Sequence, residues 1–163
     1  MHYPKKILVV LMSFPLSVWL SIGGSETVSP TNTNGDYVVL LHGLIRSSTA
    51  MKRLEWAFQE AGYRVINVTY PYTKYSIEDI AAIPLAEILK ERIQDPQAKV
   101  NFVTHSIGGI ILREYLAHHQ LANLGRVVMI APPNQGSELV DTFKNFPFYK
   151  FFTGPAGQQL GTG

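Results

Sequence analysis

The sequence contains no cysteine, which removes disulfide scaffolds, thiolate zinc sites and thiol nucleophiles together. Charge is sparse: Asp, Glu, Lys and Arg make up only 16% of the residues, and the formal net charge is +2. The basic residues are scattered rather than gathered into a stripe or tail, so a nucleic-acid partner is excluded. There is no GxxxxGK loop, no GxGxxG after a strand and no HExxH on a helix, which argues against the common phosphate, dinucleotide and zinc chemistries. His118 and His119 are consecutive and would point about 100° apart on a helix, a poor arrangement for a metal. No cofactor and no metal are expected.

What is present is apolar. Of 163 residues, 46% are hydrophobic, enough for one domain with a core. At the N-terminus Lys5 and Lys6 precede an apolar stretch from Ile7 to Ile22, followed by the small residues Gly23, Gly24 and Ser25. That order describes a secretory signal peptide, with an uncleaved membrane anchor as the alternative; the stretch is short for a span, which needs ~20 residues. Residues 1–24 are therefore expected to export the protein (periplasmic or secreted) or to anchor it facing outward, which leaves room for membrane association. Residues 25–35, rich in Ser, Thr, Asn, Pro and Gly, read as a linker. The domain is expected over residues 36–163.

Within it, strands and helices alternate. Tyr37 to Leu41 is a continuous apolar run stopped by His42 and Gly43, as expected of a strand covered on both faces. Ser47 or Ser48 would cap a helix from Thr49 to Ala61, ended by Gly62. Arg64 to Thr69 is a second strand, closed by Tyr70 and Pro71. Ser76 and Asp79 open a helix running to Ile93, with a kink or break at Pro84. Val100 to Thr104, Ile107 to His119 and Arg126 to Ile130 complete the series as strand, helix and strand. The fold class is α/β, a parallel sheet with helices on both faces and about four recognisable strands. Ligands in such sheets bind beyond the carboxyl ends of the strands, which directs attention to His42–Ser48, Tyr70–Tyr75, His105–Gly109 and Ala131–Asp141.

In one of these loops Ser106 stands between a strand and a helix, in Thr104-His105-Ser106-Ile107-Gly108 with Gly109 next. This is the layout of a nucleophile elbow, in which a sharp turn exposes a serine and only small neighbours fit. Threonine occupies the place of the first glycine of GxSxG. The plain alternative is an ordinary connection in which Ser106 caps the helix and the glycines serve packing. Acyl transfer also needs amides for the oxyanion, and Ile107, after the serine, and Leu44, after the His42-Gly43 break, stand where such donors belong.

Taken together, "YVVLLHGLIRSS", "NVTYPYTKYSIEDIA", "VNFVTHSIGGIILREYL" and "VVMIAPPNQGSELVD" resemble an α/β-hydrolase of the lipase and esterase group, over about Tyr37 to Asp141. The resemblance implies a cofactor-free serine hydrolase of carboxylic esters, with acyl or lipid esters as substrates. It implies Ser106 as nucleophile and Leu44 and Ile107 as oxyanion donors. His42, Gly43, His105, Gly108 and Gly109 would support the elbow and its facing loop, and His105 is not the base.

The family places an acid and then a histidine after the nucleophile. Beyond Ser106 the sequence has only His118 and His119, and His118 would lie roughly 18 Å along the helix, out of reach. His42 is the nearest substitute base. Glu138 and Asp141 read as surface charges, and Asp36, Glu78 and Asp79 as strand-start and cap residues. The aromatic tail with Phe143, Phe146, Phe148, Tyr149, Phe151 and Phe152 runs into glycines without a closing strand or helix. It reads as packing against a missing segment, or else as an acyl-binding surface. The domain is thus expected to be a partial α/β-hydrolase fold, incomplete at its C-terminus and impaired as an enzyme. The alternatives are a non-catalytic lipid-binding or interaction module, or a truncated product without function.

Overall fold

The structure, a computed structural model, describes residues 7–10, 35–44, 47–133 and 154–160. Most of the linker, Glu138, Asp141 and the aromatic residues from Phe143 to Phe152 lie outside the described residues. Five parallel strands form one sheet in the order β1-β5-β4-β2-β3. They are β1 (Ile7–Val10), β2 (Tyr37–Leu41), β3 (Arg64–Val68), β4 (Val100–His105) and β5 (Leu124–Ile130). The four strands expected from the sequence are all present as β2 to β5.

Every residue of β2 is buried because each face of the sheet has its own core. Tyr37, Val39 and Leu41 join the main cluster with Phe102, Ile111 and Leu112, beneath the helices α2 (Ile77–Ile80), α3 (Ala86–Arg92) and α4 (Ile107–His118). Val38 and Leu40 point the other way with Met51 and Val103, and Leu54 and Phe58 of α1 (Lys52–Glu60) pack on them. Two covered faces explain why the strand shows no alternation of apolar and polar residues.

The structure corrects several local expectations. A 3-10 turn, Ser48–Met51, precedes α1, and Ser47 makes no side-chain capping bond. The hydroxyls are used across the loop instead, Ser47 with Thr49 at 2.7 Å and Ser48 accepting from Thr69 at 2.8 Å. Ser76 does cap α2, accepting from the Asp79 amide at 3.1 Å and donating to the Asp79 carboxylate at 2.9 Å. Pro84 does not break the helical path, because a π turn, Ala81–Leu85, accommodates the ring between α2 and α3. The tail is not free of closing structure either: residues 154–158 are helical. Ala156 and Leu160 are buried in the main core, and Gln159 accepts from the Ile77 amide and donates to Glu78, both at 2.7 Å. A run so rich in Gly, Ala and Gln owes its helix to docking, not to propensity.

β1 lies within the stretch expected to serve as signal or anchor, and it pairs with β5 along Ile7↔Val127 to Val10↔Ile130. A short apolar, β-branched run satisfies a signal segment and a strand equally well, and the outer edge of β5 offers a ladder for it.

Register aligns the carboxyl ends. Leu41 pairs with Val68 and with Thr104, and His105 with Ile130. The loops beginning at His42, Thr69, Ser106 and Ala131 therefore emerge side by side. The amino ends are closed by Arg64, which bonds Asp95 at 2.9 Å and lies over the Tyr37 ring at 4.2 Å.

Candidate active site

Ser106 follows β4 directly and stands at the N-cap of α4 with φ 52° and ψ −124°, a conformation costly for any residue with a Cβ. It is held there by its neighbours. Its amide donates to the Ile130 carbonyl at 2.9 Å, and its carbonyl accepts from the Gly109 amide at 3.0 Å. The side chain makes no capping bond, so the role of helix cap, the plain alternative for this serine, is not the one it plays. Ala131 is the other non-glycine residue with positive φ among the described residues, and it stands at the end of the adjacent strand.

Two glycines make the turn sterically feasible. A Cβ on Gly108 would come within 2.6 Å of the Leu41 carbonyl oxygen and 2.9 Å of that of His42, so α4 can start against the end of β2 only without a side chain there. A Cβ on Gly43 would lie 2.4 Å from His105 Nδ1 and 3.3 Å from Ser106 Cβ, which places the loop after β2 directly on the elbow. At Gly109 the space is tight but open, with Thr104 Oγ1 at 3.2 Å. Thr104 is fully buried and its hydroxyl has no partner among the described residues, so threonine fits the first position of the motif sterically.

Two amides stand near this turn. Ile107, fully buried, is the first residue of α4, where the helix itself provides no acceptor for the N–H. Leu44 follows Gly43 and packs against the main core. Neither amide has a backbone acceptor among the described residues.

His42 is fully buried. Its Nδ1 must carry the proton, because its partner at 2.9 Å is the Gly43 carbonyl, and Nε2 is buried without a partner among the described residues. Burial holds its pKa below the ordinary imidazole value, against the raising effect of the Gly43 bond and with a further lowering by His105. Tyr70 stacks on the ring at 4.2 Å, Tyr72 meets it edge-on at 6.2 Å, and the Tyr70 hydroxyl donates to the His42 carbonyl. In the sequence Tyr70 is the close of a strand and the start of one of the loops at the ligand-binding edge, with no role of its own. Nothing in a linear sequence signals its contact with His42, which exists because β3 lies beside β2.

The two histidines at the end of α4 go elsewhere. His118 bonds Glu114 at 2.9 Å one turn back, and His119 bonds the Tyr115 carbonyl at 3.0 Å and stacks on its ring. No described histidine is hydrogen-bonded to Ser106. Glu78 bonds Gln159, and Asp36 accepts from the Lys99 amide at 2.9 Å, structural duties for both. Among the described residues no group of three or more acidic or histidine side chains could hold a metal ion, and no helix is long and apolar enough to cross a membrane.

No family model and no curated protein matches the sequence, but solved structures do. The mature form of the Bacillus licheniformis lipase BlEst2 matches at 27% identity with a TM-score of 0.66, over 82% of this chain and 57% of that one. Phospholipase PlaB from Legionella pneumophila matches at 21% identity and TM-score 0.62, over 77% of this chain and 32% of that one. The Paleococcus ferrophilus monoacylglycerol lipase matches at 23% identity and TM-score 0.51, over 68% and 47%. This chain thus spans little more than half the length of the first and less of the others. With a parallel sheet, helices on both faces and structural neighbours of this kind, the chain has a partial α/β-hydrolase fold, similar to that of lipases and esterases.

Proposed function

We propose that the chain is a serine hydrolase of acyl esters, with Ser106 as its nucleophile. The observation that carries this reading is the strained serine itself: a β-carbon at φ 52°, with glycine enforced at 108 by backbone oxygens under 3 Å away and the His105 ring packed against Gly43. Such strain persists where the surroundings over-determine it, typically at functional sites. The Ser106 hydroxyl attacks the ester carbonyl, its proton passes to a base, and the carbonyl oxygen becomes an oxyanion received by the Leu44 and Ile107 amides. Collapse expels the alcohol, and water then releases the acid from the acyl-enzyme. His42 is a poor base: its Nδ1 is committed to Gly43 and its Nε2 is enclosed. The proton acceptor is therefore proposed to lie outside the described residues, and since no histidine follows His119 in the sequence turnover by this chain is proposed to be impaired. Apolar acyl chains are the proposed substrate class, and export through the N-terminal apolar stretch is the proposed route.

A fluorophosphonate probe tests this directly, since it phosphonylates only an activated serine. Labelling of the protein that vanishes in Ser106→Ala is expected. Absence of labelling in the folded protein would overturn the reading and leave a non-catalytic acyl-binding module.

A further inference from the structure

An oxyanion donor is only as good as its aim. In a trans peptide the C=O and the following N–H lie in one plane and point in opposite directions. Whatever holds the Gly43 carbonyl therefore fixes the direction of the Leu44 N–H. That carbonyl accepts from His42 Nδ1 at 2.9 Å. One peptide earlier, the His42 carbonyl accepts from the Tyr70 hydroxyl, and the same oxygen lies close to Gly108 of α4. The imidazole that makes the first bond lies parallel to the Tyr70 ring, 4.2 Å away and 7° from coplanar. His42 Nε2 has no partner among the described residues, so among them this stack, the Tyr72 edge and the Nδ1 bond set the orientation of the ring.

The geometry points to Tyr70 and His42 as the positioning pair of the oxyanion loop: Tyr70 fixes the His42 ring and carbonyl, and His42 in turn fixes the Gly43–Leu44 peptide. The inference rests on the reading of Ser106 and Leu44 given above. Neither side chain touches the reacting atoms; both act through the backbone. Tyr70 is suited to this because it is buried to 2% exposure, and burial keeps its hydroxyl protonated, a donor well beyond the usual tyrosine range.

Two substitutions each remove one hydrogen bond and keep an aromatic ring: Tyr70→Phe and His42→Phe. The experiment measures kinact and KI for the fluorophosphonate on the full chain, together with the folded fraction by thermal melting. The phosphoryl oxygen of the probe must enter the oxyanion site, so misaimed donors slow the reaction of a bound probe. Both variants are expected to lower kinact by roughly tenfold to a hundredfold per folded molecule, short of or equal to the loss of a whole donor, with KI changed less than threefold. A merely structural role would lower the folded fraction and leave kinact per folded molecule unchanged, and that result in either variant overturns the inference. Should His42→Phe fail to fold, Tyr70→Phe decides alone. Failure of the unsubstituted protein to label would instead sink the serine-hydrolase reading and this inference with it.

Discussion

At the residue scale the balance at Ser106 is between strain and exposure of a hydroxyl. Holding a residue with a Cβ at a sparsely populated backbone position costs about 1–3 kcal/mol, whereas glycine adopts φ 52° without steric cost but loses more conformational entropy, about 0.5–1 kcal/mol, on folding. The difference leaves a net gain on removing the side chain. Ser106→Gly is expected to raise the melting temperature by several degrees, in keeping with about 1 kcal/mol in a domain of this size, while abolishing probe labelling. A melting temperature that falls would mean that the turn is relaxed in the native protein. The motif around Ser106 was legible because it is local, a few residues whose sizes dictate one turn. Tyr70 was not, since its partner is 28 positions away in the chain and only strand order brings them together.

At the scale of elements the site depends on how closely α4 approaches the end of β2. Two consecutive glycines open the helix, and their roles differ. Alanine improves helix propensity by ~1 kcal/mol at either position, but at 108 its Cβ would meet two backbone oxygens at 2.6 and 2.9 Å, atoms that cannot turn aside. At 109 the nearest atoms are the Thr104 hydroxyl at 3.2 Å and Pro132 Cβ at 3.3 Å, and a few tenths of an ångström suffice. Overpacking against a rigid wall typically costs ~1–3 kcal/mol, so Gly108→Ala should lose about 1–2 kcal/mol in urea unfolding while Gly109→Ala stays within about 0.5 kcal/mol of the native protein. Gly108→Ala should also slow labelling, since it displaces the His42 carbonyl; equal unfolding midpoints for the two variants would refute the close-approach argument. The elements themselves were readable where their signal is periodic or continuous, as in β2 and β4, and where a cap is self-contained, as at Ser76. The sequence does not announce the fate of Ser47 and Ser48, whose hydroxyls bond within the loop and to Thr69 instead of capping, nor the helix at 154–158, which docking makes; at Pro84 the break is excluded and a wide turn takes its place.

For the whole molecule, acid sensitivity separates the site from the scaffold. The pKa of His42 is depressed in the fold, chiefly by burial, so between its folded value and the ordinary 6.5 the unfolded chain binds more protons than the native one. Stability then rises with pH across that window and is lost as pH falls below about 6.5. The depressed carboxylates act lower down. Glu55 is held by its bond from Asn67, Glu78 by Gln159 and Asp95 by Arg64, and their contributions fade only as the pH drops below the ordinary carboxylate values of 4.5 and 3.8. Thermal melts are thus expected to be flat from about pH 7 to 9, to decline in one step below about 6.5 and in a second below about 4.5. His42→Phe should flatten the first step and leave the second, because it removes the buried imidazole behind Gly43 and none of the scaffold pairs. A first step that survives the substitution would assign it to another histidine and would mean that the imidazole behind Gly43 is not held neutral by burial.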